Sequence, residues 1–349
     1  MPEMSANAMA AGAPTMGEGN LLEVRHLKKY FDVGGGLMKK QHAYLRAVDD
    51  VSFSLRAGET LGVVGESGCG KSTLGNVIIR LLAPTSGEVF FDGVDFTNLN
   101  KRDLREKRAN MQMIFQDPFS SLNPRMRVFD IIAEPFRTHH VATGQELERR
   151  VYTLMEEVGL PRSSANRYPH EFSGGQRQRM GIARALALKP KLIICDEPVS
   201  ALDVSIQAQI LNLLVDLQKR YHLTYIFIAH GMPTVKHIST NVAVMYLGKI
   251  VEFAPKKELF SKPLHPYTEG LLQAVPIPDP TLRSQEATQI LTGDVPSAVN
   301  PPAGCRFCTR CPYAQERCRT EEPLLSPVDG GEHLVACHFP LENGRGILR

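Results

Sequence analysis

Long apolar runs are missing from this sequence of 349 residues. The strongest runs, such as Leu192–Cys195 and Tyr225–Ala229, are far shorter than the ~20 residues that a membrane-spanning helix requires. Residues 1–20 contain neither a basic start nor a continuous apolar stretch, so we expect a disordered N-terminal segment and not a signal peptide. These absences argue against a transmembrane protein and against a secreted mini-domain.

The sequence also lacks a strong charge imbalance. Its 40 lysines and arginines nearly match its 37 aspartates and glutamates, which leaves a formal net charge of +3. Proteins that bind nucleic acid or a lipid surface through charge usually carry a larger excess of one sign. We therefore expect no nucleic acid among the partners. Hydrophobic residues make up 43% of the chain, an ordinary globular value that permits a sizeable core.

Cysteine is scarce over most of the chain and concentrated near its end. Two of the seven cysteines, Cys69 and Cys195, lie well before the others, and we interpret them as loop and strand residues without a metal role. The other five are Cys305, Cys308, Cys311, Cys318 and Cys337. Without a secretion signal we expect a reducing compartment, where clustered cysteines are more often metal ligands than disulfides.

Strand and helix patterns alternate between residues 21 and 275. The predicted strands are Glu23–Phe31, Ala47–Leu55, Thr60–Val64, Leu192–Cys195, Thr224–Ala229 and Val242–Tyr246. Predicted helices cover Lys71–Leu82 and the amphipathic segment Val204–Arg220. This alternation favours an α/β fold with a mostly parallel sheet that is covered on both faces.

The composition changes at Pro276, where proline becomes frequent. We therefore divide the chain into the disordered segment 1–20, an α/β domain over 21–275, and a proline-rich linker with a cysteine-rich C-terminal domain over 276–349. The linker is expected to isolate the cysteine-rich lobe from the functional site of the α/β domain. The insert Val33–Tyr44 contains three glycines and two lysines, which predicts a flexible basic loop.

A glycine-rich loop follows the predicted strand Thr60–Val64. Residues Gly65–Ser72 fit the pattern G-x-x-x-x-G-K-[ST] between an apolar strand and a helix. Glycines let successive backbone N–H groups turn toward phosphate oxygens, and the helix N-terminus adds a positive dipole end. Lys71 is expected to reach the β- and γ-phosphates of a nucleotide, and the Ser72 hydroxyl to coordinate Mg²⁺.

The strand Leu192–Cys195 leads into a pair of acidic residues. It delivers Asp196 to the carboxyl end of the sheet beside the phosphate loop, where the carboxylate is expected to hold Mg²⁺ through water. Glu197 is placed to orient or deprotonate the attacking water. An acidic pair at a strand end is weak evidence alone, but together with Lys71 it predicts a nucleotide-hydrolysing site.

Phe172–Arg179, which reads Phe-Ser-Gly-Gly-Gln-Arg-Gln-Arg, matches the signature motif of ABC ATPases. With the phosphate loop and the acidic pair in order, residues 21–275 resemble the nucleotide-binding subunit of an ABC transporter. The resemblance implies a P-loop NTPase of the ABC ATPase type, whose RecA-like core carries an antiparallel β subdomain and an α-helical subdomain. It also implies that the chain binds and hydrolyses ATP.

The resemblance assigns roles to further positions. Gln116 matches the Q-loop, which implies a catalytic and magnesium-binding role beside Glu197, and His230 matches the switch histidine that contacts the γ-phosphate. The implied ATP and magnesium residues are Tyr30, Gly65, Ser67, Gly68, Cys69, Gly70, Lys71, Ser72, Thr73, Gln116, Asp196, Glu197 and His230. The residues implied to face ATP held by an opposite subunit are Ser173, Gly174, Gly175 and Gln176, with Asp203 in the D-loop.

Two positions leave alternatives open. The family stacks adenine on an aromatic residue of the first strand, and Tyr30 fits this place. Phe31 and Tyr44 compete with it, and the alternative is that Tyr30 is a buried strand aromatic without a ligand. The family usually places an acidic residue after the switch histidine. Here Gly231 follows, so we expect a helix cap to be lost, which leaves the hydrolytic efficiency of this site open.

Three stretches are similar to the peptide and nickel importer subfamily: Gln116–Arg125, Gly65–Lys71 and Leu264–Thr268. The cysteine at position 69 is more typical of the F-type than of the D-type subunit of dipeptide and oligopeptide importers. This resemblance implies a heterodimer with a second, paralogous ATPase, two membrane permeases and an extracytoplasmic solute-binding protein. It implies a peripheral location on the cytoplasmic face of the cell membrane, with the segment after Gln116 receiving a permease.

The C-terminal cysteines resemble the last domain of the same subfamily. The resemblance implies a [4Fe–4S] cluster on Cys305, Cys311, Cys318 and Cys337, since thiolates are the usual ligands of such clusters. Cys308 creates C-x₂-C-x₂-C and leaves a ligand swap open. A structural zinc site and reduced thiols without metal are the alternatives. We interpret the group as a fold staple or a partner-docking element and not as an electron carrier for hydrolysis.

The favoured function is that of an ATP-hydrolysing, energy-coupling subunit of an importer for di- or oligopeptides. The alternatives are a soluble ABC ATPase without a permease, a weakly hydrolysing accessory subunit, and an importer of nickel or another small solute. Soluble ABC ATPases of DNA repair or translation generally carry two cassettes or a long coiled-coil insertion, and the sequence has neither. The presence of Glu197 and His230 argues against the accessory subunit.

Overall fold

The computed structural model describes the chain over residues 19–34, 43–117, 121–275, 293–328 and 330–341. The predictions for residues 1–18, for most of the Val33–Tyr44 insert and for the linker up to residue 292 fall outside these ranges. The first strand already begins at Asn20, one residue inside the segment that the sequence predicts as disordered.

The described residues form two sheets and several helices. The strands are β1 (Asn20–Asp32), β2 (Tyr44–Arg56), β3 (Thr60–Val64), β4 (Ser86–Phe91), β5 (Val94–Asp95), β6 (Met111–Ile114), β7 (Leu192–Asp196), β8 (Thr224–Ala229), β9 (Asn241–Tyr246), β10 (Lys249–Pro255), β11 (Ser326–Pro327) and β12 (Leu334–Val335). The helices are α1 (Lys71–Ile78), α2 (Lys101–Lys107), α3 (Val128–Thr138), α4 (Gly144–Glu157), α5 (Gly174–Leu186), α6 (Val204–Tyr221), α7 (Met232–Ile238), α8 (Lys256–Ser261), α9 (Pro266–Gln273) and α10 (Glu316–Thr320). Every predicted strand is confirmed, with ends that differ by at most three residues.

The larger sheet has the strand order β11-β12-β10-β9-β3-β8-β7-β6. Its centre is parallel, because β3 pairs with β8 and β9, β7 with β8, and β6 with β7. Every residue of β3, β7 and β8 is buried, as expected for parallel strands covered on both faces. The predicted parallel sheet is confirmed for this core. The carboxyl ends of the parallel strands lie along one edge of the sheet.

The smaller sheet is antiparallel and has the order β2-β1-β4-β5. β1 pairs with β2 on one side and with β4 on the other. Along β2, Val51, Phe53 and Leu55 are buried, whereas the intervening Ser52 and Ser54 are only partly buried. This period of two is typical of a strand with one face on a core. The sheet corresponds to the antiparallel β subdomain that the family resemblance implies.

Helix α1 packs closely on the parallel sheet. Gly75 is the point of approach, because a Cβ atom there would lie 3.1 Å from Ile194 and 3.2 Å from Ile228. These neighbours belong to β7 and β8, so the middle of α1 is held over the strand that leads into the acidic pair and over the strand next to it.

The C-terminal end of α1 differs from the prediction. The helix ends at Ile78, whereas the sequence predicts a helix to Leu82. Arg80 has a φ of 60°, a left-handed conformation that a right-handed helix does not continue through. Ile79 and Leu82 still pack against the core from the turn that follows, which explains why the apolar pattern runs past the helix end.

Helices α3, α4 and α5 form the α-helical subdomain. The rings of Phe129 on α3 and Tyr152 on α4 meet edge to face, with their centroids 5.8 Å apart. Arg184 of α5 donates a hydrogen bond of 2.6 Å to the Ser121 carbonyl, which ties this layer to the segment after Gln116. None of the helices within the described ranges is both long and apolar enough to span a membrane.

Residues 293–341 form the cysteine lobe, which packs directly on the ATPase-like core. Its strand β12 pairs with β10 and so extends the larger sheet. Its Phe307 is buried against Tyr246 and Tyr267, with ring centroids 5.3 and 5.4 Å away. The expectation of an isolated lobe is therefore wrong. A linker that is long in sequence does not prevent the segments on either side of it from packing together.

Candidate active site

The phosphate loop, Gly65–Ser72, connects β3 to α1 as the sequence predicts. Gly70 has a φ of 106°, and a Cβ atom there would lie 1.9 Å from the Ala47 carbonyl oxygen, so the position requires glycine. Ser67 and Gly68 lie at the exposed tip of the loop. The loop is therefore pressed against the start of β2 on one side and open on the other.

Lys71 is held inside the turn of the loop. Its Nζ donates hydrogen bonds to the carbonyl oxygens of Gly65 at 2.7 Å and Glu66 at 3.0 Å. The buried Cys69 sulfur lies 3.9 Å from the same nitrogen, which agrees with a filling role for this residue. Thr73 lies in the first turn of α1 and is partly exposed. The loop thus places a buried ammonium group next to a helix N-terminus, an arrangement suited to an anion.

Ser72 and Asp196 meet at the predicted magnesium site. The Ser72 hydroxyl donates a hydrogen bond of 2.8 Å to Asp196 Oδ1 at the end of β7. Burial raises the pKa of the Asp196 carboxyl, and the neighbouring Glu197 carboxylate raises it further. A hydroxyl and a carboxylate are ligands that Mg²⁺ accepts beside the phosphates of a nucleotide. The residues present therefore fit a magnesium ion.

The three predicted catalytic residues form one cluster. Glu197 Oε2 accepts a hydrogen bond from Gln116 Nε2 at 2.7 Å and lies 2.6 Å from His230 Nε2. The three residues follow the adjacent strands β6, β7 and β8, which explains why the sheet brings them together. The Glu197 side chain is 5% exposed and that of His230 is 45% exposed, so the cluster opens toward solvent at the histidine.

Glu197 is also strained. Its φ of 47° places it in the left-handed region, which a glutamate rarely adopts. Its backbone N–H donates a hydrogen bond of 3.0 Å to the Ile228 carbonyl oxygen of β8, and its carbonyl oxygen accepts one from Ser200. These contacts fix the backbone at the point where the chain leaves β7, and the contacts with Gln116 and His230 fix the direction of the carboxylate.

Tyr30 lies on β1 and pairs with Arg46 of β2, the residue before Ala47, whose carbonyl faces Gly70 of the phosphate loop. Its hydroxyl donates a hydrogen bond to the Asp49 carboxylate on β2. Burial and this hydrogen bond raise the pKa of Tyr30 to about 12. The residue is partly exposed, as stacking with a base requires. Of its two competitors, Phe31 carries Lys29 over its ring at 5.0 Å, and Tyr44 is exposed at the start of β2.

The signature motif begins helix α5. The Ser173 hydroxyl accepts a hydrogen bond from the Gln176 N–H at 3.3 Å, and the Gln176 side chain accepts one from the Ser173 N–H at 3.0 Å. This reciprocal pair is a capping box. A Cβ atom on Gly174 would lie 3.1 Å from Leu202, just before α6, and one on Gly175 would lie 2.5 Å from Ile206 of α6. The glycines thus let the helix start approach α6 closely.

The D-loop and the switch region lie at two other helix starts. Asp203 is the exposed N-cap residue of α6, and its side chain makes no capping hydrogen bond. Gly231 is the N-cap residue of α7 and offers no side chain, so the predicted loss of a cap after His230 is confirmed. Pro233 in the first turn has no N–H to be capped, which reduces the cost of this loss.

The cysteines of the lobe line one small pocket. Its walls are formed by His265, Pro266, Cys305, Phe307, Cys308, Cys311, Tyr313, Cys318, Cys337, His338 and Phe339. Burial raises the pKa of Cys305 and Cys311 to about 11 and that of Cys337 to about 12, and neighbouring thiols add to each shift. Within the described ranges, no group of three or more cysteine, histidine or acidic side chains is arranged to hold a metal ion.

Two acidic residues are absent from the site predicted from the sequence: Asp49, which contacts Tyr30, and Glu66, which lies within the phosphate loop. Asp49 accepts a hydrogen bond from Arg306, and Glu66 accepts two from Arg310, both from the cysteine lobe. The arginines alternate with cysteines in the sequence, which is a visible signal. Their partners lie 257 and 244 positions away, and no local pattern identifies them.

Two family profiles match the chain. The ABC transporter family matches residues 48–200, from β2 through the phosphate loop, the signature motif and the acidic pair. The family described as oligopeptide/dipeptide transporter, C-terminal region, matches residues 251–318, from β10 through four cysteines of the lobe. The fold and the ordered motifs define an ATP-binding protein of the ABC transporter family, and the chain belongs to this family.

Relatives that match over nearly their full length place it more closely. The chain is 54% identical over 320 residues to the oligopeptide transport ATP-binding protein AppF of Bacillus subtilis (strain 168), across 91% of this chain and 97% of that protein. It is 53% identical over 331 residues to the oligopeptide transport ATP-binding protein OppF of Escherichia coli (strain K12), across 93% and 98%. Within the ABC family, the chain belongs with these ATP-binding proteins.

Solved structures resemble the ATPase part of the chain. The ATP-binding cassette MJ0796, in a dimeric post-hydrolysis state bound to ADP and Pi, has a TM-score of 0.61 and 26% identity over 67% of this chain and 98% of that one. The cbiO1 protein of Clostridium perfringens, part of the ABC transporter complex cbiONQ, has a TM-score of 0.60 and 27% identity over 70% and 91%. The likeness supports the ABC ATPase fold.

Proposed function

We propose that this chain hydrolyses ATP as the energy-coupling subunit of an importer for oligopeptides. It belongs with oligopeptide transport ATP-binding proteins along nearly their whole length. The observation that carries hydrolysis is the contact of Glu197 with both Gln116 and His230, beside the pair formed by Ser72 and Asp196. This cluster argues against a subunit that binds ATP and hardly turns it over.

ATP binding uses the phosphate loop. Lys71 and the loop N–H groups hold the phosphates, and Tyr30 stacks on the adenine. Ser72 would hold Mg²⁺ directly and Asp196 through water, with Gln116 as a further ligand. When bound, Mg²⁺ offsets negative charge on the transferred phosphoryl group.

Hydrolysis depends on the fixed direction of the Glu197 carboxylate. This group orients the attacking water and accepts its proton, because a positioned carboxylate can act as general base. His230, whose ring is half exposed, holds the carboxylate and contacts the γ-phosphate. The hydrogen bond that Gln116 donates to the same carboxylate oxygen, Oε2, keeps the carboxylate from rotating away.

The assembly consists of two ATPase subunits and membrane permeases, as for other importer ATPases. We propose that the second ATPase is a paralogue, arranged head to tail, so that Ser173–Gln176 at the start of α5 face ATP on the opposite subunit and Asp203 lies at the same interface. An extracytoplasmic solute-binding protein delivers the peptide. The chain associates with the membrane through the permeases, on its cytoplasmic face, with the segment after Gln116 as the contact.

The division of the chain is part of the same proposal. Residues 21–275 form the ATPase domain, and residues 276–349 form the linker and a cysteine-rich C-terminal domain docked on it. A [4Fe–4S] cluster on Cys305, Cys311, Cys318 and Cys337 is proposed from the family resemblance and the chemistry of thiolate ligands. These cysteines share one pocket, but within the described ranges they are not arranged to hold a metal ion. Such a cluster would join the segments of these four cysteines, of which Cys305 and Cys318 are already linked by a backbone hydrogen bond of 2.8 Å.

The cluster proposal is tested by composition. Protein purified without oxygen should contain iron and sulfide at about four each per chain. Single Cys→Ser changes at the four ligands should remove both, whereas Cys308→Ser, from the same pocket, should retain them. Stoichiometric zinc without sulfide would exclude the cluster and favour a structural zinc site.

The transport function is tested on the assembled complex. The chain should co-purify with its permeases and the second ATPase, and in vesicles its ATP hydrolysis should rise when peptide and the solute-binding protein are present. Stimulation by nickel and not by peptide would reassign the substrate. Activity of the chain alone, equal to that of the complex, would favour the soluble ABC ATPase instead.

A further inference from the structure

The segment Cys305–Cys311 of the cysteine lobe has two faces. The Cys308 N–H bonds to the Cys305 carbonyl and the Arg310 N–H to the Phe307 carbonyl, each at 3.0 Å, so the segment forms successive tight turns. Turns of this kind place every third residue on the same side. The three cysteines accordingly line the pocket of the lobe, while Arg306 and Arg310 reach into the ATPase domain.

Arg310 is bound to the phosphate loop. Its Nη1 and Nη2 donate to the two carboxylate oxygens of Glu66 at 2.7 and 3.0 Å. The arginine side chain is 4% exposed and that of Glu66 is 27% exposed. The guanidinium lies 5.9 Å from the ring centre of Tyr246 and 6.0 Å from that of Phe307. A two-bonded, mostly buried pair of this kind is stronger and more directional than a surface ion pair.

Glu66 connects this pair to the phosphate-binding lysine. Its carbonyl oxygen accepts a hydrogen bond from Lys71 Nζ, and its N–H donates one of 2.8 Å to the buried Tyr267 hydroxyl. Side chain and backbone of Glu66 are therefore both fixed, the side chain by the lobe. A change at Arg310 therefore affects Lys71, the residue expected to bind phosphate, through Glu66 alone.

Arg306 lies at the Tyr30 end of the ATP site, where the adenine is proposed to bind. Its guanidinium donates hydrogen bonds to the Asp49 carboxylate and to the Leu247 carbonyl, and both charged side chains are buried. Asp49 also accepts the hydrogen bond of the Tyr30 hydroxyl. Although burial opposes its charge, the bonds from Tyr30 and Arg306 hold the pKa of Asp49 below its ordinary value. Asp49 thus stays ionised between the arginine and the tyrosine.

We propose that Arg306 and Arg310 are positioning residues for ATP binding, which hold Tyr30 through Asp49 and the phosphate loop through Glu66. The proposal rests on the ATP site proposed above and adds to it two residues outside the ATPase motifs. Both arginines lie between cysteines 305 and 311. The conformation of this short segment therefore sets the affinity for ATP, through Tyr30 on the adenine side and through the phosphate loop on the phosphate side.

The test measures ATP dissociation constants of the full chain by equilibrium titration. Glu66→Gln and Arg310→Gln should each weaken ATP binding roughly two- to thirtyfold, the range for residues that act through another. The double variant should be no weaker than the weaker single one, because both changes break the same contact. Arg310→Lys should recover part of the affinity, since it keeps the charge but not the two-bonded geometry.

Inorganic tripolyphosphate has the phosphates of ATP but no adenine, so its binding reports on the phosphate loop and not on Tyr30. Glu66→Gln should weaken its binding as much as that of ATP, whereas Tyr30→Phe, which breaks only the link to Asp49, should weaken ATP binding more than tripolyphosphate binding. A purely structural defect would not distinguish the two ligands. The matched control is Arg317→Gln, in the same lobe, whose exposed partner Glu321 lies 2.8 Å away on the surface.

Wild-type affinity in Glu66→Gln would overturn the proposal, as would additive effects in the double variant. If Arg310→Gln fails to fold, Glu66→Gln still breaks the contact from its more exposed side. The variant Lys71→Ala tests whether ATP binds at the phosphate loop, by the same measurement of ATP affinity. Equal ATP affinity of wild type and Lys71→Ala would refute the proposed ATP site, whereas a loss confined to Lys71→Ala would refute only the positioning role.

Discussion

The ATPase domain and the cysteine lobe are built in different ways. The ATPase domain has parallel strands that are buried along their whole length and that end at the site residues. The cysteine lobe consists mainly of turns, with a helix of five residues and two strands of two residues each. Such short elements bury little apolar surface by themselves, so they do not fold stably without a partner.

The difference shows that a change in composition along the chain does not mark a separation of two regions in space. Proline-rich sequence separates the two regions along the chain, yet in space they share a sheet and a buried aromatic cluster. The ATPase domain supplies a ready-made surface, and the lobe supplies side chains that reach the ATP site. The lobe is therefore better described as an addition to the ATPase domain than as a neighbour.

The largest expected effect tests this dependence. Phe307→Ala should lower the free energy of unfolding by about 3 kcal/mol or more, because a ring that is 1% exposed leaves a cavity between the lobe and the sheet. Denaturant unfolding measures the loss. Leu324→Ala, in the same lobe but 76% exposed, should change it by less than about 0.5 kcal/mol. A separate early transition for the lobe, with the main one unchanged, would show two independent units.

The next prediction concerns chemistry that belongs to the ATPase domain alone. Glu197→Gln should leave ATP binding intact but reduce hydrolysis by the assembled complex roughly 10²-fold or more, because the general base is lost. Turnover and ATP affinity are measured on the same preparation. Lys71→Ala is the contrasting variant, with binding itself weakened. Near wild-type turnover of Glu197→Gln would remove this residue from the mechanism.

A smaller effect is expected where the ATPase domain depends on a second copy of its fold. Ser173→Arg should slow ATP hydrolysis roughly tenfold or more at the site formed by the partner's phosphate loop, because anion-binding N–H groups at the start of α5 are obstructed. Nucleotide trapping in complexes with one variant subunit measures each site separately. An effect confined to ATP at Lys71 of the same chain would contradict the head-to-tail arrangement.

The smallest expected effect lies at the switch region. Gly231→Asp should raise the free energy of unfolding by about 0.3 kcal/mol, since glycine is itself a tolerable N-cap residue. A Cβ atom there would lie 3.7 Å from Pro233 and 3.9 Å from Thr234, so the side chain fits. The shift in denaturant midpoint measures it. A destabilised variant would mean that the turn after His230 requires glycine for its backbone.

The ATPase domain could be predicted in detail because its signals are local. A strand such as β3 is a continuous apolar run, and the loop Gly65–Ser72 has a fixed spacing set by phosphate chemistry. The meeting of Gln116, Glu197 and His230 follows once three adjacent parallel strands are assumed. The end of α1 could not be predicted from its apolar pattern, because Arg80 leaves the helix while the side chains beyond it stay packed.

The contacts of the lobe could not be predicted for a different reason. The sequence around an arginine does not show which acidic residue it will contact. The partners of Arg306 and Arg310 lie more than two hundred positions away. The motif Leu264–Thr268 was visible as a resemblance, but the role of Tyr267 in holding Glu66 depends on a fold that brings α9 under the phosphate loop. Long-range pairing of this kind needs the three-dimensional arrangement.

The two short strands of the lobe also decide where the larger sheet stops. β12 covers the open side of β10, and β11 covers β12 in turn. β11 is two residues long and ends in Pro327, which has no N–H to offer a further strand. An uncovered, regular edge is a template for pairing with other chains, and a two-residue edge with a proline is a poor one. A chain shortened before β11 would leave β10 open to strand exchange.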